Sequence, residues 1–350
     1  MKEIAVHIKC LLVFLYIMVA FYIFYVKITL DFFRKADNMK QFAPDYYENF
    51  RCIAGACKHN CCIGWEIDID EFTLSCYNSI EGEMGDRLKK HISYEGETPH
   101  FCMTENERCP FLNKDNLCDI ISSLGEDALC DICADHPRFR NYFSDREEIG
   151  LGLCCESAGK LILGNEERFQ LICIADDGEE EELTDDEAEI LSLREKVFAL
   201  IQNDCKTISE RINDVYALVG EKKKDIKTDE WISLFLSMER LDESWTELLL
   251  KIKNTPFEWK CQYEKELENA LCKLLCYFVY RQFSLSAEDG KVRERLIFSL
   301  QSAEFIMLIC AFHKETYGAV SLDDVVEYSR MYSSEMEYSD ENVEKYLNFC

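Results

Sequence analysis

Four cysteines near the front of the chain are the residues best suited to chemistry. They lie within eleven positions, spaced Cys52-x4-Cys57-x3-Cys61-Cys62, in a polar loop that also contains glycines. Soft thiolates this close together are the ligands that a zinc ion or an iron–sulfur cluster requires. The alternative is a run of buried free thiols, because free cysteine is among the most buried residue types. A polar, glycine-bearing loop is poor core material, so the spacing favours metal ligation.

The cysteines that follow strengthen this prediction. Of the chain's 20 cysteines, twelve lie between Cys52 and Cys155. The strongest local signal is Cys130-x2-Cys133, because a short C-x2-C loop lets two sulfurs face one metal. A four-iron cluster takes four thiolates, so the candidates cannot all bind one cluster, and the others form a second site or pack nearby. The predicted metal ligands are Cys52, Cys57, Cys61, Cys62, Cys109, Cys118, Cys130, Cys133 and Cys155.

Composition limits the class of protein. A chain of 350 residues that is 48% hydrophobic buries a substantial core. Its net charge of −28 argues against nucleic acid as a partner, since phosphates reward basic surfaces. The charge mainly solvates the surface and is compatible with a lysine-bearing protein substrate. Disulfide-dense proteins are typically small, so 20 cysteines in a chain this long indicate reduced thiols in the cytoplasm.

An apolar segment precedes the cysteines. Residues 10–26 carry no charge, and as a helix they would span about 26 Å, close to the thickness of a bilayer core. More basic residues follow the segment than precede it, which would place the body of the protein on the cytoplasmic side. Residues 1–38 are therefore interpreted either as a membrane anchor or as an extension before a true start at Met39. That start would leave 312 residues, which is 350 − 38.

The patterns around the cysteines change along the chain. Residues 39–155 are broken repeatedly by proline, glycine and cysteine, so they need a bound metal in addition to apolar burial. Within them, Trp65 to Asp70 alternates like a short strand, and Phe72 to Lys90 has a helical pattern interrupted near Gly82 and Gly85. Residues 156–350 show amphipathic helical spacing. The fold class predicted is mainly α, with an irregular cysteine-rich metal-binding region (39–155) followed by an all-α helical domain (156–350).

Helix-start signals recur in this second region. Thr184-x-x-Glu187 resembles a capping box, and it lies in an acidic run interpreted as a solvated linker. Further starts are predicted at Ser244, Thr255, Ser321 and Ser339. Cys272 and Cys276 have apolar neighbours at helical spacing and are predicted to pack in the core. His313 has no potential metal ligands near it in the sequence and is predicted to have a structural role.

Several motifs together resemble a known family. They are C-I-A-G-A-C-K-H-N-C-C-I-G-W-E-I-D-I-D, C-P-F-L-N-K-D-N-L-C-D-I, L-G-E-D-A-L-C-D-I-C-A-D-H-P-R-F, L-G-L-C-C-E-S-A-G-K-L-I-L, Y-F-V-Y-R-Q-F and Y-S-S-E-M-E-Y-S-D-E-N-V-E. This set resembles the flagellin lysine N-methylases from Met39 to about Leu347. It is also distantly similar to small bacterial iron- or zinc-chelating domains marked by C-x-x-C-x-x-C-C. Residues 1–38 have no counterpart in the family pattern. Cys154 stands where a serine is expected, which makes Cys155 the better ligand of that pair.

The resemblance implies an activity. It implies methyl transfer from S-adenosylmethionine to lysine ε-amines of a protein such as flagellin, with a four-iron cluster ([4Fe-4S]) as cofactor. The C-x3-C-x2-C spacing of radical enzymes is absent: Gly64 stands where Cys57-x3-Cys61 would continue, and Val279 where Cys272-x3-Cys276 would. No pattern in the sequence identifies the catalytic base or the methyl-donor pocket. Two alternatives stay open, a non-catalytic iron- or zinc-binding protein and, last, an oxidised disulfide scaffold.

Overall fold

The fold is mainly α, as predicted, and the computed structural model describes residues 39–176, 182–257, 259 and 267–350. The apolar segment 10–26, with the predicted membrane anchor, lies outside the described residues. Buried apolar side chains form two clusters. A small first core is built from residues 67–130, and a much larger second core is built from Tyr46 and from residues 151–347. The domain division between residues 155 and 156 stays a prediction.

The first core lies among short elements joined by turns. Its buried residues include Ile67, Tyr77, Phe101 and Phe111. Trp65 to Asp70, predicted as a short strand, instead makes a single bridge, between Asp68 and His100. The helical prediction for Phe72 to Lys90 is confirmed, with a break just before Gly82; the second break predicted near Gly85 is wrong, because Gly85 lies within a continuous helix. The elements are α1 (Glu71–Ser79), α2 (Gly82–His91), β2 (Ile92–Ser93), β3 (His100–Phe101), α3 (Asp119–Leu124) and α4 (Asp131–Asp135).

A four-stranded sheet joins the two parts, and the sequence patterns did not predict it. Its strands are β1 (Lys40–Pro44), β4 (Arg138–Phe143), β5 (Arg146–Leu151) and β6 (Leu171–Ala175). The spatial order is β4-β5-β1-β6. β4 and β5 form an antiparallel hairpin, whereas β1 runs parallel to β5 and antiparallel to β6. Pairing thus brings the start of the described chain beside residues more than 100 positions later.

Helices form the rest of the second part, around the long central helix α12. Within α12, an 18-residue window has a mean hydropathy of 1.6, enough to cross a membrane, but 89% of it is buried inside the protein, as in a core helix. The helices are α5 (Glu156–Gly164), α6 (Asp185–Ile201), α7 (Ile208–Leu218), α8 (Thr228–Phe235), α9 (Glu243–Asn254), α10 (Glu268–Phe278), α11 (Ser286–Asp289), α12 (Val292–Tyr317), α13 (Leu322–Met336) and α14 (Asp340–Leu347).

The predicted helix starts are largely confirmed. Thr184 and Ser321 each cap a helix in a complete capping box, and Ser339 caps α14 through a hydrogen bond from Asn342. The start predicted at Ser244 is displaced, because the carboxylate of Asp242 caps α9 instead. Cys276 is fully buried in the second core, and Cys272 packs against it.

Glycine at position 150 is required by the packing of the sheet. A Cβ added there would overlap the Phe139 ring and come within 2.9 Å of Cε1 of Tyr280. Aromatic rings in a packed core cannot move far enough to make room for the added Cβ. We therefore expect Gly150→Ala to lower the free energy of unfolding by about 1–3 kcal/mol. Gly164→Ala is the matched control, because the nearest atom to its added Cβ is 3.5 Å away on Leu322. Equal midpoints of urea unfolding for the two variants would contradict the prediction.

Candidate metal centre

The nine predicted ligands lie in two neighbouring groups. The 18 described cysteines are all free thiols, so no disulfide joins any of them. The first group comprises Cys62, Cys109, Cys118, Cys130 and Cys133, all of which belong to or pack against the first core. The second group comprises Cys52, Cys57, Cys61 and Cys155, which meet where the loop 51–61 reaches the start of α5.

Backbone pairing brings the first group together. The Cys109 amide donates to the Cys62 carbonyl at 2.8 Å, which joins the first cysteine loop to the C-P-F-L segment. Leu112 and Cys118 form an isolated β-bridge that folds this segment back on itself. The Cys133 amide donates to the Cys130 carbonyl at 2.9 Å in the tight C-x2-C turn. Three stretches distant in sequence therefore contribute sulfurs to one region.

The surroundings of Cys62 and Cys109 disfavour the free thiolate at these two positions. Burial raises the pKa of Cys109 to about 11, and the nearby Cys118 and Cys130 add to the shift through charge repulsion. The pKa of Cys62 is raised by its hydrogen bond to Cys61, by burial, and by the charges of Cys61, Cys109 and Cys118. A bound metal cation reverses this balance, because a coordinating thiol is deprotonated outright. An apolar site with several close sulfurs is thus suited to a cationic metal.

Asp70 holds the C-x2-C helix against α1. One carboxylate oxygen accepts from the Thr73 amide at 2.8 Å and caps α1, while the other accepts from the Asp131 amide at 3.0 Å in the first turn of α4. Tyr77 adds a second tie, since its hydroxyl donates to the Ala128 carbonyl at 2.7 Å. Burial opposes the charge of Asp70, but the two amide hydrogen bonds outweigh it and lower its pKa.

Loss of this double cap should loosen the first group. We expect Asp70→Ala to cost about 1–2 kcal/mol of stability, in the range measured for caps. The stabilisation by the Asp70 carboxylate should be fully present above about pH 4, the pKa of aspartate in the unfolded chain. It should be lost as the pH falls through the lower pKa that Asp70 has in the folded protein. The measurement is urea unfolding of both proteins at pH 7 and pH 3. Asp186→Ala, in the first turn of α6, is the control. A pH-independent difference would contradict the assigned role.

The second group is assembled at the start of α5. The Ser157 hydroxyl donates to the Arg51 carbonyl at 2.7 Å, and the Lys58 amide donates to the Glu156 carboxylate at 2.9 Å. The Cys57 sulfur lies 3.7 Å from the same carboxylate. Cys155 immediately precedes the helix. The loop that carries Cys52 and Cys57 is therefore fixed beside Cys155.

The thiols of the second group also influence one another. Burial raises the pKa of Cys57 to about 11, with Glu156 and Cys155 contributing. Burial likewise raises the pKa of Cys155, to which the nearby Cys61 and Cys52 add. Cys61 also contacts the first group, because its thiol and that of Cys62 hydrogen-bond one another.

The separation of the sulfurs bears on the kind of metal. A tetrahedral zinc ion with Zn–S bonds of about 2.3 Å holds its sulfurs about 3.8 Å apart. Among the described residues, no three cysteine sulfurs lie within 4.8 Å of one another; the group that meets this distance is Glu66, Asp68 and His100, with two exposed carboxylates. Thiolates on a four-iron cluster bind different irons and are farther apart. The described residues therefore hold no preformed tetrahedral set of cysteine sulfurs.

A buried polar network, not anticipated from the sequence, lies next to the second group. Arg281 forms an ion pair with Glu337 at 3.1 Å, and the Tyr277 hydroxyl donates to the same carboxylate at 2.7 Å. The Leu153 amide donates to that hydroxyl at 3.1 Å, and the thiol of Cys154 is 2.9 Å from the hydroxyl of Tyr338. The network therefore joins three of the motifs quoted above, L-G-L-C-C-E, Y-F-V-Y-R-Q-F and Y-S-S-E-M-E-Y. Each motif is recognisable in the sequence, but their contact with one another follows only from the fold.

Comparison with known proteins supports the resemblance. The chain is 29% identical over 136 residues to proteins named Lysine-N-methylase from Salmonella choleraesuis and Salmonella typhimurium, covering 37% of this chain and 33% of each relative. It has the same identity over 136 residues to the Flagellar biosynthetic protein FliU of Salmonella muenchen, 79% of which is covered. No protein-family profile and no solved structure matches.

These matches support the predicted relationship to the flagellin lysine N-methylases over 136 residues of the chain. The matched span of 136 residues is shorter than the predicted span from Met39 to about Leu347. The chain spans about a third of the length of the lysine-N-methylases that it matches.

Proposed function

We propose that this chain is a protein lysine N-methyltransferase that uses S-adenosylmethionine and carries an iron–sulfur cluster. The observation that carries the proposal is the sequence relationship to proteins named Lysine-N-methylase. The substrate proposed is flagellin or a similar protein with surface lysines, in keeping with the flagellar relative. The site of action proposed is the cytoplasm, on the inner face of the membrane if residues 10–26 form an anchor.

The residues of the first group fit the proposed cluster. A four-iron cluster takes four thiolates, and this group offers five, at Cys62, Cys109, Cys118, Cys130 and Cys133. Their soft sulfurs and apolar surroundings suit iron and sulfide. When bound, such a cluster supplies one-electron chemistry and cross-links the three stretches that carry its ligands.

The methyl transfer is a direct displacement that requires a neutral lysine. The lysine nitrogen forms a bond to the sulfonium methyl, the carbon–sulfur bond breaks, and S-adenosylhomocysteine leaves as the nitrogen loses a proton. The lysine must arrive neutral although its ordinary pKa is about 10.4, so burial or a nearby carboxylate or tyrosine has to assist. Aromatic faces would favour the sulfonium and methylated ammonium cations.

The test is methylation by the full chain. The protein, purified without oxygen, is incubated with S-adenosylmethionine and purified Salmonella flagellin, and intact-protein mass spectrometry follows the flagellin. We expect a gain of about 14 Da per methyl group, which peptide analysis places on lysine. Flagellin with S-adenosylmethionine alone is the control.

A matched pair of variants links activity to the metal centre. Cys118→Ser/Cys133→Ser should lose the iron of the first group and the methylation activity together, whereas Cys173→Ser/Cys205→Ser, at exposed positions outside both groups, should keep both. No mass gain from a preparation whose cluster is intact would reject the methyltransferase proposal. That result would favour the non-catalytic metal-binding alternative.

A further inference from the structure

The second group of cysteines has enough sulfurs to form a metal site of its own. Cys52, Cys57, Cys61 and Cys155 provide four sulfurs, the number that a four-iron cluster requires. Three of them lie in one loop, and the fourth comes from a position 94 residues after Cys61. A set drawn from such distant positions meets only because the fold brings the loop to the start of α5.

The contacts that hold this loop are specific. Ser157 bonds the backbone of Arg51, immediately before Cys52, and Glu156 bonds the backbone of Lys58, immediately after Cys57. Both ends of the segment 51–58 are therefore anchored to the two residues that follow Cys155. The Trp65 indole donates to the Cys61 carbonyl at 2.6 Å and fixes the next turn of the loop.

The two groups adjoin at Cys61 and Cys62, whose thiols hydrogen-bond one another. Cys62 is bound through its carbonyl to Cys109 and packs against the first core, whereas Cys155 packs against the second core. Cys61 also lies near Cys155, and we therefore assign it to the second group. Two-cluster ferredoxins provide a precedent, because a cysteine close in sequence to the ligands of one cluster there binds the other.

We propose that Cys52, Cys57, Cys61 and Cys155 bind a second iron–sulfur cluster, next to the one held by the first group. The proposal rests on the proposed function only in assigning a cluster to the first group. The start of α5 favours bound anionic thiolates through its helix dipole. The negative charge of the Glu156 carboxylate near Cys57 is compensated by an ion pair with Lys160, whose ammonium lies 3.0 Å away. The vicinal pair Cys61–Cys62 would bring the two clusters into close contact.

Iron and sulfide content tests this inference directly. The full chain is purified without oxygen, reconstituted with ferrous iron and sulfide, and freed of unbound metal. We expect about eight irons and eight sulfides per chain, since each cluster holds about four of each. Cys57→Ser/Cys155→Ser should reduce both to about four. The first-group variant Cys118→Ser/Cys133→Ser should also keep about four, held by the second group.

Controls separate ligation from folding. Cys76→Ser/Cys102→Ser replaces two exposed thiols of the same region and should retain about eight irons. Circular dichroism is recorded for every variant, and the single variant Cys52→Ser, at an exposed thiol, substitutes for any second-group variant that fails to fold. In the reduced wild type, electron paramagnetic resonance should show coupling between two spins, and this coupling should vanish in the second-group variants.

Three results would overturn the proposal. They are wild-type iron in folded second-group variants, a wild-type maximum of about four irons, and extra iron without matching sulfide, which would be adventitious metal only. The methylation assay is independent of these readouts. About eight irons without methylation would reject the proposed function alone, whereas methylation with about four irons would reject the second cluster alone.

Discussion

Removing iron under reducing conditions should unfold residues 62–133 while the helical part of the chain stays folded. The first core has eleven buried residues, of which two are the candidate ligands Cys109 and Cys130. Structural metals contribute about 10–16 kcal/mol in zinc-finger peptides, comparable with or larger than the net stability of a whole domain. We therefore expect a core this small, joined by short elements and turns, to depend on the proposed metal.

Hydrogen exchange followed by mass spectrometry measures this effect. Peptides from residues 62–133 should lose protection when a chelator removes the iron, and peptides from α10 and α12 should not. Those two helices lie in the second core, whose packing is aliphatic and aromatic. Treatment of the protein with chelator already saturated with iron is the control. Unchanged protection of residues 62–133 in the iron-free protein would show that apolar burial alone maintains the first core.

Arg194→Met should destabilise the helical part by about 3–5 kcal/mol, because it leaves a buried carboxylate without its partner. The two terminal nitrogens of Arg194 each lie 2.6 Å from an oxygen of Glu148, and one of them also donates to Ser284 at 2.7 Å. The exposed fraction of the side chain is 2% for Arg194 and 0% for Glu148. This pair connects β5 with α6 and with the π-helical turn Val279–Phe283, which follows α10.

An exposed ion pair in the same part of the chain provides the control. Arg168 and Asp204 are also 2.7 Å apart, but about 70% of each side chain is exposed. Water screens such a pair, so Arg168→Met should cost no more than about 1 kcal/mol. The double variant Glu148→Leu/Arg194→Met should recover much of the stability, since it leaves no unpaired charge. Equal unfolding midpoints for Arg194→Met and Arg168→Met would contradict this account.

The network around Arg281 brings three motifs that are distant in sequence into contact. Glu337 receives hydrogen bonds from Tyr277 and from Gln282 as well as the ion pair. Glu337 is fully buried and needs every one of these partners, because an unpaired buried charge is strongly destabilising. The network therefore fixes the position of α5, and with it Cys155, relative to the rest of the helical part.

Much of the local structure, and the proposed class of chemistry, could be predicted from the sequence alone. Capping residues such as Thr184 and Ser321 satisfy amides of their own helix within three positions, so helix starts are readable from local spacing. The preference of a thiolate for metals such as zinc and iron is a property of the side chain and does not depend on the fold. The cysteine content and the Cys130-x2-Cys133 spacing therefore predicted a metal-binding region. The relationship to lysine N-methylases also followed from local motifs.

The division of the cysteines into two groups follows from the tertiary structure and could not be predicted from their spacing. Adjacent residues such as Cys61 and Cys62 carry no local sign of the group to which each belongs, because the groups are defined by Cys109 and Cys155, far along the chain. The sheet was missed for the same reason: β1 has only five residues, and its partners lie more than 100 positions away. Ligand grouping and strand pairing are contacts between distant segments, and the packing of two separate cores sets the distances between those segments.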